Sequence, residues 1–220
     1  QIMTAAGSIS SLFQGLLVPL CVYVIAAVSL NLVIGISGEL SLGHAGFMCV
    51  GAYASAFFSN VVGDSMPSML RFVLAILVGA LVAAVFGIVI GIPVMRLKGD
   101  YLAIVTLAFG EIIKNLMNIL YIGKDSHGLH FATGDISSLK MEGDGKIIVN
   151  GALGITGTPK DSTFTIGVIL ILITLFIVLN LIRSRSGRAI MSIRDNRIAA
   201  ESVGINATKY RLMAFTVSAS

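Results

Sequence analysis

The 220-residue chain is 56% hydrophobic and only 12% charged, with a mean hydropathy of +0.95, whereas soluble domains carry about 25% charged residues. Apolar runs long enough to cross a bilayer recur along it, which makes it a polytopic α-helical membrane protein. A transmembrane β-barrel, whose strands alternate over about ten residues, is excluded, and so is a nucleic-acid-binding domain, because the net charge of +4 collects in one loop without interleaved aromatics.

The first apolar run has no charged segment before it, so no cleavable signal is expected. The chain begins at Gln1 and stops at Ser220 inside an apolar helix, and is read as part of a longer protein. Span one covers 12–34, about 34 Å of helix at roughly 1.5 Å per residue, and ends in the breaker cluster Gly35-Ile36-Ser37-Gly38. Glu39, Ser41, Gly43 and His44 follow before apolar character resumes over 42–62, span two. An interrupted helix is tolerated in a membrane where protein covers its loose backbone or where it lines a cavity. Gly38, Glu39, Ser41, Gly43 and His44 are therefore candidates for a substrate pathway, the alternative being a turn between spans. Cys21 and Cys49 lie within apolar runs and read as small buried hydrophobes.

Span three covers 68–95, and its Gly79, Ala83, Gly87 and Gly91 recur every fourth position, a stripe that lets two helix backbones approach. The short basic loop Arg96-Leu97-Lys98-Gly99-Asp100 leads into span four, 101–122. Glu111 falls near the middle of that span, where a carboxylate costs at least ~2.5 kcal/mol on insertion scales. It should face protein or water with a partner, and Lys114, one turn on, is the local candidate. A pathway lining and a helix-to-helix tie both fit it.

The segment 123–162 is Gly-rich and mixed in charge, and its stretch Lys140 to Asn150 reads as a β-hairpin turning at Asp144-Gly145. A docking surface and a solvated tether are both open for it. His44, His127 and His130 lack metal-ligand spacing, so no metal is expected. No GxxxxGK(S/T) phosphate loop occurs, and nothing points to an enzyme. Span five covers 163–182, and a sixth opens at 210–220.

Between spans five and six lies the one strongly one-signed polar run, 183–211. Its seven cations are Arg183, Arg185, Arg188, Arg194, Arg197, Lys209 and Arg211, against the acids Asp195 and Glu201. Short basic loops stay cytoplasmic, and counting back from this one places Arg96 and Lys98 inside and 123–162 outside. The loop reads as short helices over Ala189 to Ile193 and Ile198 to Val203, broken at Asp195-Asn196. Gly204 then stops the chain and Asn206 caps the next helix. Small Ala199 and Ala200 would let a partner surface come close. The fold expected is an all-α polytopic membrane domain of about six or more helices, with one Gly-rich break, a short cytoplasmic coupling helix and an external segment carrying a small hairpin.

At Ala199-Ala200-Glu201-Ser202-Val203-Gly204 the sequence resembles the EAAxxxG coupling loop of ATP-binding-cassette import permeases, with Ile198 in place of the leading Glu. The stretch 187–206 is similar to the version in branched-chain amino-acid permeases, as are 37–53, 96–112 and 151–159. The 140–150 stretch has no counterpart in that pattern. The resemblance implies an inner-membrane permease subunit working with a second homologous permease, two ATPase subunits that hold ATP and Mg, and an extracytoplasmic solute-binding protein. None of these cofactors sits on this chain. It further implies that Gly187, Arg188, Arg194, Asn196, Ala199, Ala200, Glu201 and Gly204 form the ATPase-coupling element. Thr106 and Glu111 of span four stand beside the break as the remaining pathway candidates, Glu111 with the helix-to-helix tie as its alternative. The implied substrates are leucine, isoleucine and valine, with urea or short amides as an alternative. The competing reading of another class is an ATPase-independent secondary transporter with Glu111 as its ion site.

Overall fold

The computed structural model describes residues 11–63, 66–95, 97, 99–125, 128–134, 146–155, 157–158 and 162–220. Among these, five helices are long and apolar enough to cross a membrane. The chain divides into two units, Gln1–Glu39 with Ser162–Ser218 and Leu40–Asp161 with Ala219–Ser220.

The first unit begins with α1, Ser11–Asn31, which continues without interruption into a π-helical turn, Leu32–Ser37. Span one thus runs three residues past its expected end before Gly38 stops it. Helix α5, Phe164–Arg183, packs along α1, with Gly167 seated against Cys21. The basic loop folds into α6, Arg185–Asp195, and α7, Arg197–Ser202, followed by α8, Ala207–Ala219. Each start has a cap: Ser184 Oγ accepts from Gly187 N–H, Asn196 Oδ1 from Ala199 N–H and Asn206 Oδ1 from Lys209 N–H, each at 3.1 Å. Ser29 of α1 and Ser218 of α8 exchange hydroxyl-to-carbonyl bonds, Ser218 Oγ reaching Ser29 O at 2.6 Å. In an apolar medium such reciprocal bonds fix one helix on another.

The second unit is built on α2, His44–Val62, α3, Ser68–Val94, and α4, Asp100–Ile119. Along α3 the buried positions Arg71, Ala75, Gly79, Ala83, Gly87 and Gly91 recur every fourth residue. The small-residue stripe is therefore one continuous inward ridge. It meets α2 where Gly79 lies against the Gly51 carbonyl and Ala83 against Gly51 itself. The C-terminal carbonyls of α2, orphaned by the helix end, receive cations instead: Arg71 Nη1 donates to Gly63 O at 2.7 Å and Lys124 Nζ to Val61 O at 2.9 Å.

Two boundaries depart from expectation. Span four stops as helix at Ile119, and Leu120 opens a strand, β1, Leu120–Asp125. It is the centre of a three-stranded antiparallel sheet, β2-β1-β3, with β2 at Gly128–Thr133 and β3 at Lys146–Asn150. The fold is therefore helical with a small sheet. The sequence places a strand near Lys146–Asn150, and there is one, but its described partner is β1. The expected turn at Asp144-Gly145 and the strand 140–143 before it lie outside the described residues. The physical reason is packing: Ile122, Ile148 and Val149 form a buried cluster on Tyr53, Phe57 and Val61, one stripe of α2. That burial rewards extension of the Leu-Tyr-Ile run past Ile119 more than one further helical turn would.

Replacing Arg71 by Met should lower the unfolding midpoint of the detergent-solubilised protein by about 5 °C, as expected for a lost buried hydrogen bond to a charged group. Lys124→Met, whose bond is exposed, should shift it less. Equal shifts in a thermal melt would show that burial does not strengthen the Arg71 bond over that of Lys124.

Candidate functional site

In the first unit the helix break and the basic loop meet. Gly38 closes the π-turn in the left-handed region, φ +73, and both its N–H and that of Glu39 point at Val33 O, the latter at 3.1 Å. A side chain at 38 would be strained there and would strike the stem of Arg194. Arg194 reaches from α6 to donate through Nη1 to Gly35 O at 3.0 Å, and its Nε and Nη2 hold Asp195 at 3.1 and 3.0 Å. Arg211, from α8, forms an ion pair with Glu39, and the two side chains are only 13% and 5% exposed. Two arginines of the loop answer the break: Arg194 its exposed Gly35 carbonyl and Arg211 its buried Glu39 carboxylate. Ser37 is buried beside them with no hydrogen-bond partner on its hydroxyl.

The expected coupling residues divide. Gly187 is buried against the carbonyls of Leu181 and Ile182, a fit that permits the tight turn from α5 into α6. Arg188 is exposed on α6. Ala200 is buried in a cluster with Ile193 and Ala207, so of the two small residues only Ala199 is on the open face. That face instead presents Ile198 and Val203, 81% and 75% exposed. Glu201 is paired with Arg197 at 2.8 Å along α7, and Gly204 ends the helix at φ +87. Glu201, Gly204, Ile205, Asn206, Ala207 and Thr208 line an open depression beside them.

In the second unit Leu42 and Gly43 meet Thr106, with Ser41 and His44 next to them in the chain. Leu42 N–H donates to Thr106 Oγ1 at 3.1 Å, and that hydroxyl donates to Ala103 O at 2.9 Å. Gly43 lies so close to the Thr106 carbonyl that no side chain fits, and Gly46 and Gly110 carry the close approach one turn further. Ser41 is buried with no hydrogen-bond partner on its hydroxyl. His44 is half-buried at the first turn of α2, whose start has no side-chain cap. Glu111 does not join this group. Its carboxylate is on the open side of α4, bonded to Lys114 Nζ at 3.2 Å. Among the described residues no three of His, Cys, Asp and Glu gather as metal ligands.

Sequence reasoning missed Arg194 and Arg211 as partners of the break, although a carboxylate at Glu39 within apolar sequence demands a cation. Removing one member strands the other, which typically costs about 3–5 kcal/mol. Glu39→Gln and Arg211→Gln should each strongly destabilise the protein in a detergent melt. The double variant should recover most of the loss, and additive losses would refute the pairing.

The family model described as "Branched-chain amino acid transport system / permease component" matches residues 12–220. Two curated relatives carry the name "High-affinity branched-chain amino acid transport system permease protein LivM". That of Salmonella typhimurium (strain LT2) is 36% identical and that of Escherichia coli (strain K12) 35% identical, each over 214 residues. Both alignments cover 90% of this chain and 48% of the relative, so the chain spans about half the length of the curated relatives it matches. No solved structure matches it. With nearly the whole chain matched and its spans, break and loop all falling inside that match, this multi-pass membrane chain belongs to the family of permease components of branched-chain amino acid transport systems.

Proposed function

We propose that the protein is the permease subunit of an ATP-binding-cassette importer that carries leucine, isoleucine and valine inward across the inner membrane of a prokaryote. Two partner ATPases hold ATP and Mg, a second homologous permease completes the membrane part, and an extracytoplasmic binding protein delivers the substrate. The chain itself performs no chemistry. Loop 183–211 is cytoplasmic, as its excess of cations favours, and segment 123–162 is external.

One observation carries the reading: α6 is tied to the interrupted helix by the Arg194–Gly35 bond and α8 by the Arg211–Glu39 pair. The exposed Ile198 and Ala199 of α7 and Val203 just past its end form an apolar knob flanked by arginines, with the form of a surface pressed by another subunit. A push on α7 is passed to its neighbours α6 and α8 and from them reaches the break through two polar ties. Packed elements have discrete arrangements and transmit such a displacement rather than absorbing it. Candidate pathway residues are assigned unit by unit: Gly38 and Glu39 of the break in the first, and in the second Ser41, Gly43, His44 and Thr106 and, on the separate open face of α4, Glu111.

Substituting Ile198→Asp or Val203→Asp in the full-length protein should abolish co-purification of the ATPase. Leucine uptake should fall at least about tenfold, the equivalent of 1.4 kcal/mol or more of lost contact, with the chain still inserted in the membrane. Uptake that persists in these variants and follows the proton gradient would identify a secondary transporter instead. ATP-dependent uptake of urea or acetamide in place of leucine would move the substrate class.

A further inference from the structure

Helix α4 has one face that its own unit leaves open and that is polar at mid-membrane depth. Leu102, Ala103, Thr106 and Ile113 turn inward. On the other side Ile104, Leu107 and Ala108 are exposed, followed one turn on by Glu111 and Lys114 and then by Asn115. Glu111 is the twelfth of the helix's 20 residues, about 17 Å along its axis. The Glu111 and Lys114 side chains are 55% and 64% exposed and bonded only to each other among the described residues. An exposed i,i+3 ion pair contributes little to a helix, and two charges facing lipid are disfavoured. Helix formation does not account for them, so this face meets water, a polar ligand or another protein surface.

The order of the residues narrows the ligand. A carboxylate and an ammonium 3.2 Å apart sit directly beyond an aliphatic strip. A molecule that matches both parts has adjacent opposite charges and an aliphatic tail. We propose that this stripe of α4 is a subsite for an α-amino-acid zwitterion. The ligand's ammonium is held by Glu111, its carboxylate by Lys114, and its branched side chain lies along Ala108, Leu107 and Ile104. Binding exchanges one intrahelical ion pair for two intermolecular ones, so every charge is paired both before and after. The inference rests on the reading of the protein as a branched-chain amino-acid permease, and deepens it by naming the head-group residues.

The test uses the full-length protein with its transporter partners, in a Cys21→Ala/Cys49→Ala background. A charged, membrane-impermeant thiosulfonate should label Ala108→Cys and Asn115→Cys. Leucine should slow that labelling at least fivefold, whereas 4-methylpentanoate and 3-methylbutylamine, each lacking one charged end, should not. Glu111→Gln and Lys114→Gln should each raise the KM for leucine uptake about tenfold or more. The exchanged pair Glu111→Lys/Lys114→Glu keeps the intrahelical bond but should leave the KM raised. Failure to label either position, labelling indifferent to leucine, an unchanged KM in both single variants, or full recovery in the exchanged pair would overturn the subsite. If the unsubstituted transporter moves leucine and these results fail, only the subsite is lost. If it moves no leucine, the permease reading and the subsite fall together.

Discussion

A helix that ends within a membrane protein leaves its last carbonyls and any nearby charge in need of a donor, most acutely where the group is buried. In the first unit that demand decides the arrangement. Val33 O takes two N–H groups, Gly35 O takes Arg194, and the Glu39 carboxylate takes Arg211. The donors come from two different helices of the basic loop, so satisfying the break also fixes where α6 and α8 lie. Cations that by composition mark the sidedness of a loop here serve as internal fasteners.

The second unit meets the same demand with smaller groups. Thr106 bridges the Leu42 N–H and the Ala103 carbonyl through a single hydroxyl. The backbones can come that near only because Gly43, Gly46 and Gly110 have no side chain to separate them. At the far end of α2, Arg71 and Lys124 replace the missing N–H donors and also complement the negative end of the helix dipole. The β-sheet is the remaining part of that solution. Continuing α4 as β1 lets strand pairing satisfy its backbone, while Ile122 joins the apolar stripe of α2.

What can be read from sequence follows from the range of the interactions. Span positions depend on hydropathy over about twenty residues, and helix caps on neighbours three residues away. The stripe on α3, the stop at Gly204 and the cap at Asn206 are accordingly visible. The partners of Glu39 and of Gly35 lie 172 and 159 positions along the chain, and no local pattern chooses Arg211 and Arg194 among the seven cations of the loop. Ala200 is a similar case. Ala199 and Ala200 are alike in sequence, but the turn of α7 sends one outward and the other onto Ile193. The strand at Leu120 is hidden because a Leu-Tyr-Ile run at the end of an apolar helix is compatible with either state, and the choice rests on residues of α2 some sixty positions earlier.

Two places disobey the rule that polar groups face polar surroundings and apolar groups face apolar ones, and they do so in opposite senses. At α7 and its C-cap the apolar Ile198 and Val203 stand out from a polar, arginine-rich loop. On α4 the charged Glu111 and Lys114 stand out from an apolar span. Neither arrangement lowers the free energy of the chain by itself, since each exposes a group to the medium it avoids. The Glu39 carboxylate, by contrast, is buried and paired. These two departures are better explained by what their surfaces meet than by imperfect folding. An apolar knob on a soluble loop is complementary to a protein cleft, and a charged stripe within a span is complementary to a polar cargo. On the proposed reading the first surface receives force and the second holds what is moved.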